Sequence, residues 1–187
     1  MNMRVPISAL VGAIVLFAWQ SLSWTVLPVH THSLKYSPGQ DSILAVLSAN
    51  LNEEGMYYLP NVDPDVATAE DRENLEKETE GKPVAQVNYI AAYKPNMGLS
   101  MATGFALCLV VALVISLVLQ GQPAKGFAGR WLVVLGFGVV LLAFDTLGDK
   151  NWWYHPAHWY QPEIVDYLAM FGLSGLWFAW YWGRKAA

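Results

Sequence analysis

Ile7 to Leu27 carries no charged residue, and in a helix rising 1.5 Å per residue it reaches about 31 Å, the depth of a bilayer's hydrocarbon. Three more long apolar runs follow, at 97–120, 131–148 and 163–182. In lipid every backbone N–H and C=O must be satisfied within the chain, so such runs have one economical solution, the α-helix. The expected fold is therefore a membrane all-α protein with four transmembrane helices. Composition agrees, because 55% hydrophobic and 14% charged residues lie far from the balance of a soluble domain. A basic start before an apolar core would also suit a signal peptide, with Ser21 or Ser23 near a cleavage site. The run continues through Trp19 and Trp24, as an interfacial anchor does, and Pro28 ends it by removing a backbone donor.

Between the first and second runs lies the only polar block, residues 29–96, with eleven Asp or Glu against five Lys or Arg. Asp41 is placed to cap a short helix whose apolar residues Ile43, Leu44, Leu47 and Leu51 recur at helical spacing. Met56–Leu59 and 84–93 read as strands that can pair, and 66–80 reads as a charged surface helix capped by Asp65 or Thr68. The domain plan is helix 1 over 1–28, a small acidic α+β module over 29–96, and a three-helix membrane region over 97–187. Gly98, Ala102 and Ala106 share one face of the second span, and Gly136 with Gly138 invite a neighbour on the third.

The link from Phe144 to Glu163 is densely aromatic and acidic, and it bears His155 and His158. Indole and phenol rings favour the polar boundary of a bilayer, so the link reads as a hairpin tip lying at the surface. Basic residues Arg4, Lys125, Arg130, Arg184 and Lys185 fall on one side of the four spans, against Lys150 alone on the other short loop. The positive side is expected to be cytoplasmic, with both termini, and residues 29–96 outside. That puts the acidic module and the aromatic link on one face.

All four histidines, His30, His32, His155 and His158, belong to that face, and neutral imidazole suits Zn or Cu. With Asp145 and Asp149 they form the candidate metal set, although neither His-x-His nor His-x-x-His is a strong metal motif. Glu163 and Asp166 are further oxygen donors, able to ligate or to orient an imidazole, and after Pro162 they read as first-turn acids favoured by the helix dipole. Asp145 is anomalous, since it sits at a helix C-terminus and one turn deeper than Asp149. The spans hold no histidine for a haem, and no phosphate loop, zinc-protease pair or nucleophile elbow is present. Cys108 is the sole cysteine, which removes any disulfide framework, and nothing points to nucleic acid.

The segment Phe17 to His30, together with Tyr57-Tyr58-Leu59-Pro60, resembles small bacterial inner-membrane proteins over roughly the first 60 residues. The resemblance implies a bacterial inner membrane and brings no activity or ligand. The expected role is an accessory or structural subunit that binds partner membrane proteins, or further copies of itself, through its helices and outer module. No cofactor is expected for that role. The alternative is a metal-dependent membrane enzyme or carrier with an outer His/Asp site.

Overall fold

The computed structural model describes residues 3–122 and 125–184. In chain order the elements are helix α1 (Arg4–Thr25), a 3-10 turn (Pro28–His30), α2 (Gln40–Asn50), β1 (Gly55–Leu59), α3 (Ala69–Thr79), β2 (Ala85–Tyr89), α4 (Met97–Gln120), α5 (Phe127–Phe144), α6 (Thr146–Trp153) and α7 (Ala157–Gly183). Four helical stretches are long and apolar enough to cross a membrane: α1, α4, α5 continued by α6, and α7. The chain is an integral, multi-pass membrane protein by this criterion. It divides into two compact units, Met1–Lys35 with Asn96–Ala187, and Tyr36–Pro95.

In the first unit α1 and α7 lie side by side, α4 packs on α1, and α5 packs on α7. Among the described residues α4 also touches α7 but α4 and α5 are not a closely packed pair, so the four helices make an open row rather than a closed bundle. Small residues let the row close up. A Cβ on Gly12 would stand 2.2 Å from the Phe178 ring, and one on Gly138 would stand 2.9 Å from Phe171. Both phenyl rings are fully buried, together with Ala13, Leu16, Ala112 and Ile115. Polar glue is added at Ser8, whose Oγ receives Ser116 Oγ at 3.0 Å and Trp182 Nε1 at 2.9 Å. Gly98, Ala102 and Ala106 are exposed, since α4 turns Gly104, Cys108, Ala112 and Ser116 inward. Gly136 likewise meets nothing, whereas Gly138 receives its neighbour.

The two ends of this unit differ in charge. At one, Arg4 donates to the carbonyls of Tyr181 and Arg184, each at 2.9 Å, which satisfies backbone acceptors at the C-terminal end of α7. Arg130 is buried at the same end, beside Gly183. The other end carries Asp145, Asp149, Glu163 and Asp166.

The sequence leaves 149–162 between its third and fourth spans as a surface tip, whereas in the structure the chain from Phe144 to Glu163 is helical except at Asp145 and Tyr154–Pro156. The long helix breaks at Asp145, whose ψ of -81 departs from helical values, and resumes at once as α6. Tyr154 closes α6 in the left-handed region, φ 56, and the chain then turns into α7. Pro162 is not a start signal: it lies inside α7, which begins at Ala157. Glu163 and Asp166 are therefore well beyond the first turn, where the dipole does little for them.

In the second unit β1 and β2 pair antiparallel, from Gly55 opposite Tyr89 to Leu59 opposite Ala85, and α3 lies in the connection between them. α3 opens with a capping box. The Thr68 amide donates to Asp71 Oδ2 at 2.8 Å, and the Asp71 amide donates to Thr68 Oγ1 at 3.2 Å. The Thr68 amide, with its hydroxyl, holds the Asp71 carboxyl below the usual carboxylate range. No hydrophobic side chain of this unit is buried, and on α2 Ile43, Leu44 and Val46 are more than half exposed.

Candidate functional site

The site grows from two helical faces. On α1, Trp19, Gln20, Ser23 and Trp24 recur at i, i+1, i+4 and i+5, and on α7, Glu163, Asp166, Tyr167 and Met170 recur at i, i+3, i+4 and i+7. The two helices run antiparallel, so these faces meet at the acidic end of the row. The 3-10 turn after α1 then folds His30 back over the junction.

Asp166 is the centre. Its Oδ1 accepts from Trp19 Nε1 at 3.2 Å and from Ser23 Oγ at 2.5 Å, and its Oδ2 lies 2.9 Å from His30 Nε2. The other ring nitrogen, Nδ1, lies 3.1 Å from Ser33 Oγ. A neutral ring that donates from Nε2 and accepts the Ser33 hydroxyl at Nδ1 satisfies all four groups. A protonated ring donates from both nitrogens, and the hydroxyl rotates to accept. Trp24 stacks on the imidazole with centroids 3.8 Å apart and planes 10° from parallel. The His30 side chain is 5% exposed and that of Asp166 16%, so this is a largely desolvated pair and not a surface contact.

Two more carboxylates are tied nearby. Thr146 Oγ1 donates to Glu163 Oε2 at 3.0 Å, and Tyr167 OH donates to Asp145 Oδ2 at 2.6 Å. The Asp145 anomaly thus has a structural partner at the break in the helix. His30 is the sole basic side chain in a salt bridge with Asp145, Glu163 or Asp166 among the described residues.

Two cavities open along the row. The first, about 180 Å³, lies between Trp19, Trp24, His30, Glu163, Asp166 and Tyr167. A second, about 140 Å³, is lined by all four long helices, including Leu16, Leu107, Val111, Leu141 and Phe171. Gln20 and Met170 line both, so the two cavities adjoin at these side chains. Because α4 and α5 do not close on each other, the second cavity is a trough between them, and Leu107 and Leu141 on its walls are exposed.

The six residues expected to hold a metal fall into separate places. His30 is spent on Asp166, and Asp145 on Tyr167. His155 Nδ1 lies 4.0 Å from Asp149 Oδ2 and meets the Trp159 ring edge-on. His32 and His158 line one groove with Ser33 and Pro162. Among the described residues no three His, Cys, Asp or Glu side chains are grouped to hold a metal ion. The focal role of Asp166 is hidden in the sequence because Pro162 reads locally as a helix start. The matching faces on α1 and α7 were the available signal. Comparison with known protein families, curated proteins and solved structures found no match.

Proposed function

We propose that this multi-pass membrane protein is a ligand-binding accessory subunit, holding a small molecule in the pocket built on His30 and Asp166. The carrying observation is that pair itself: residues 136 positions apart meet through a desolvated hydrogen bond at the mouth of a cavity. Such polar groups between membrane helices are costly, and lining a cavity is their usual reason for being there. The test is organic extraction of the protein purified in mild detergent from its native membrane, wild type beside Asp166→Leu. A compound retained at near-stoichiometric amount by the wild type and absent from the variant is expected. An empty wild type overturns the reading.

The accessory role is supported by the second unit, whose helix α2 exposes Ile43, Leu44 and Val46 and which buries no hydrophobic side chain. An apolar surface of this kind on a polar module fits a partner protein. Mass measurement of the intact assembly in mild detergent decides it, since a monomer without a copurifying protein would remove that role. We place the chain in a bacterial inner membrane, with residues 29–96 outside and the termini cytoplasmic. The groove of His32 and His158 is where a Zn or Cu ion is to be sought, by elemental analysis of wild type beside His158→Ala.

A further inference from the structure

The hydrogen-bond inventory of the pocket is one-sided. Trp19 N–H and Ser23 O–H donate to Asp166, as the His30 Nε2–H does in the neutral ring, and Tyr167 O–H donates to Asp145. Every one of these donors is spent on a carboxylate. Beside the carboxylates what remains available is acceptor capacity, because Thr146 takes only Oε2 of Glu163 and leaves Oε1 open among the described residues, while the unspent donors of the lining are the Gln20 amide and the Trp24 indole. The faces of aromatic rings remain as well. Gln20 adds an independent observation. It stands within a membrane-spanning helix, is exposed into the trough, and has one weak partner, the Cys108 thiol at 4.0 Å. An amide left without partners in hydrocarbon costs several kcal/mol, so something polar in the trough is expected to meet it.

We infer that the pocket and trough together bind an amphiphile with a cationic head, a protonated amine seated between Glu163 and Asp166 against the rings of Trp19, Trp24 and Tyr167, and its alkyl chain lying in the trough. The inference rests on the ligand-binding reading above and names the class of ligand. Charge complementarity carries it, because two carboxylates, Glu163 and Asp166, line the pocket against one basic side chain, His30, an arrangement that repels an anionic head and favours a cationic one. The open side between α4 and α5 lets the chain enter from the bilayer. Gln20, reached by both cavities, accepts from the ammonium or donates to an oxygen near it.

The full chain in phosphatidylcholine nanodiscs is titrated calorimetrically with dodecylamine, dodecanol and dodecanoate, with empty nanodiscs subtracted. Saturable binding of the amine, at least about tenfold tighter than the alcohol or the acid, is expected. Glu163→Gln, which keeps an acceptor for Thr146, removes that preference, and Val111→Trp, which fills the trough, weakens the amine without changing the order of heads. Loss of amine binding in nanodiscs rich in phosphatidylethanolamine identifies a lipid headgroup as the source, and undiminished binding identifies a free amine; both support the cationic class. Equal binding of all three heads, weakened by Val111→Trp, overturns the class while the pocket stands. No saturable binding of any of them, together with an empty organic extract, removes both.

Discussion

His30 Nε2 and Asp166 Oδ2 stand 2.9 Å apart, and through them the turn after the first helix is fastened to the third turn of the last. The same carboxylate also holds Trp19 and Ser23, so three side chains from the first helix and its following turn share one acceptor group on the last. Loss of either partner leaves a desolvated polar group unsatisfied. His30→Ala is expected to cost about 1–3 kcal/mol and Asp166→Leu at least as much, since three donors are stranded at once. Asp166→Asn, which still accepts at one oxygen, should lie between Asp166→Leu and wild type. Thermal unfolding in detergent reads this order. Near-identical midpoints for all three would return Asp166 to a solvated surface role.

Gly12 is the tightest approach in the helical row. A methyl group there meets the ring of Phe178, which is fully buried, so the ring or the helix must shift. Gly12→Ala should destabilise by about 1–3 kcal/mol, while Gly136→Ala, where a Cβ meets nothing, should change stability by less than about 0.5 kcal/mol. Gly12→Ala combined with Phe178→Leu recovers part of the loss if the clash is the cause. Additive penalties in that double variant would place the strain elsewhere.

The number and character of the spans were legible because hydrocarbon thickness and backbone satisfaction act on each run by itself. Thr68 was legible as one of two candidate caps, with Asp65, since a capping box is a local arrangement, and the structure uses Thr68. What escaped was set by packing between distant segments. Pro162 reads as a helix start in isolation, yet in α7 it is an interior residue, and that displacement moved Glu163 and Asp166 from the dipole's reach into the helix interface. Likewise, Gly98, Ala102 and Ala106 have the spacing of a packing face, but the neighbour chose Gly104, Cys108 and Ala112.

Tyr167 explains Asp145. The carboxylate ends one helical segment and begins the next, and the phenol, donating at 2.6 Å, supplies the partner that the break requires. Tyr167→Phe is expected to cost about 1 kcal/mol, and Asp145→Asn less, because the amide oxygen still accepts. Asp145→Leu strands the phenol and should equal or exceed the loss from Tyr167→Phe. Chemical denaturation in mixed micelles distinguishes these, and a Tyr167→Phe variant as stable as wild type refutes the pairing.

Asp71 gives the second unit an acid sensitivity with a definite sign. Its folded carboxyl titrates below the ordinary range because the Thr68 amide and hydroxyl donate to the charged form. The stabilisation is therefore full above the unfolded carboxylate's titration and is lost as pH falls through the lower, folded value. Amide exchange at the start of α3 should accelerate over that acid window in the wild type and be pH-independent beyond the intrinsic rate in Asp71→Asn. Equal acid profiles in the two proteins would show that the capping box does not hold the helix.

Orientation can be read from the charge difference between the two ends of the helical row. Arg4 and Arg130 stand at one end with Arg184, and Asp145, Asp149, Glu163 and Asp166 at the other. Short basic segments are retained on the cytoplasmic side, so the Arg end should face the cytoplasm. In a Cys108→Ser background, a single cysteine at Ser48 should react with a membrane-impermeant maleimide added outside intact cells, and one at Gln122 should react only after lysis. Four spans make these two positions fall on opposite sides whichever way the chain inserts. Labelling of Gln122 from outside with Ser48 protected therefore inverts the orientation, and labelling of both from one side removes a span from the row.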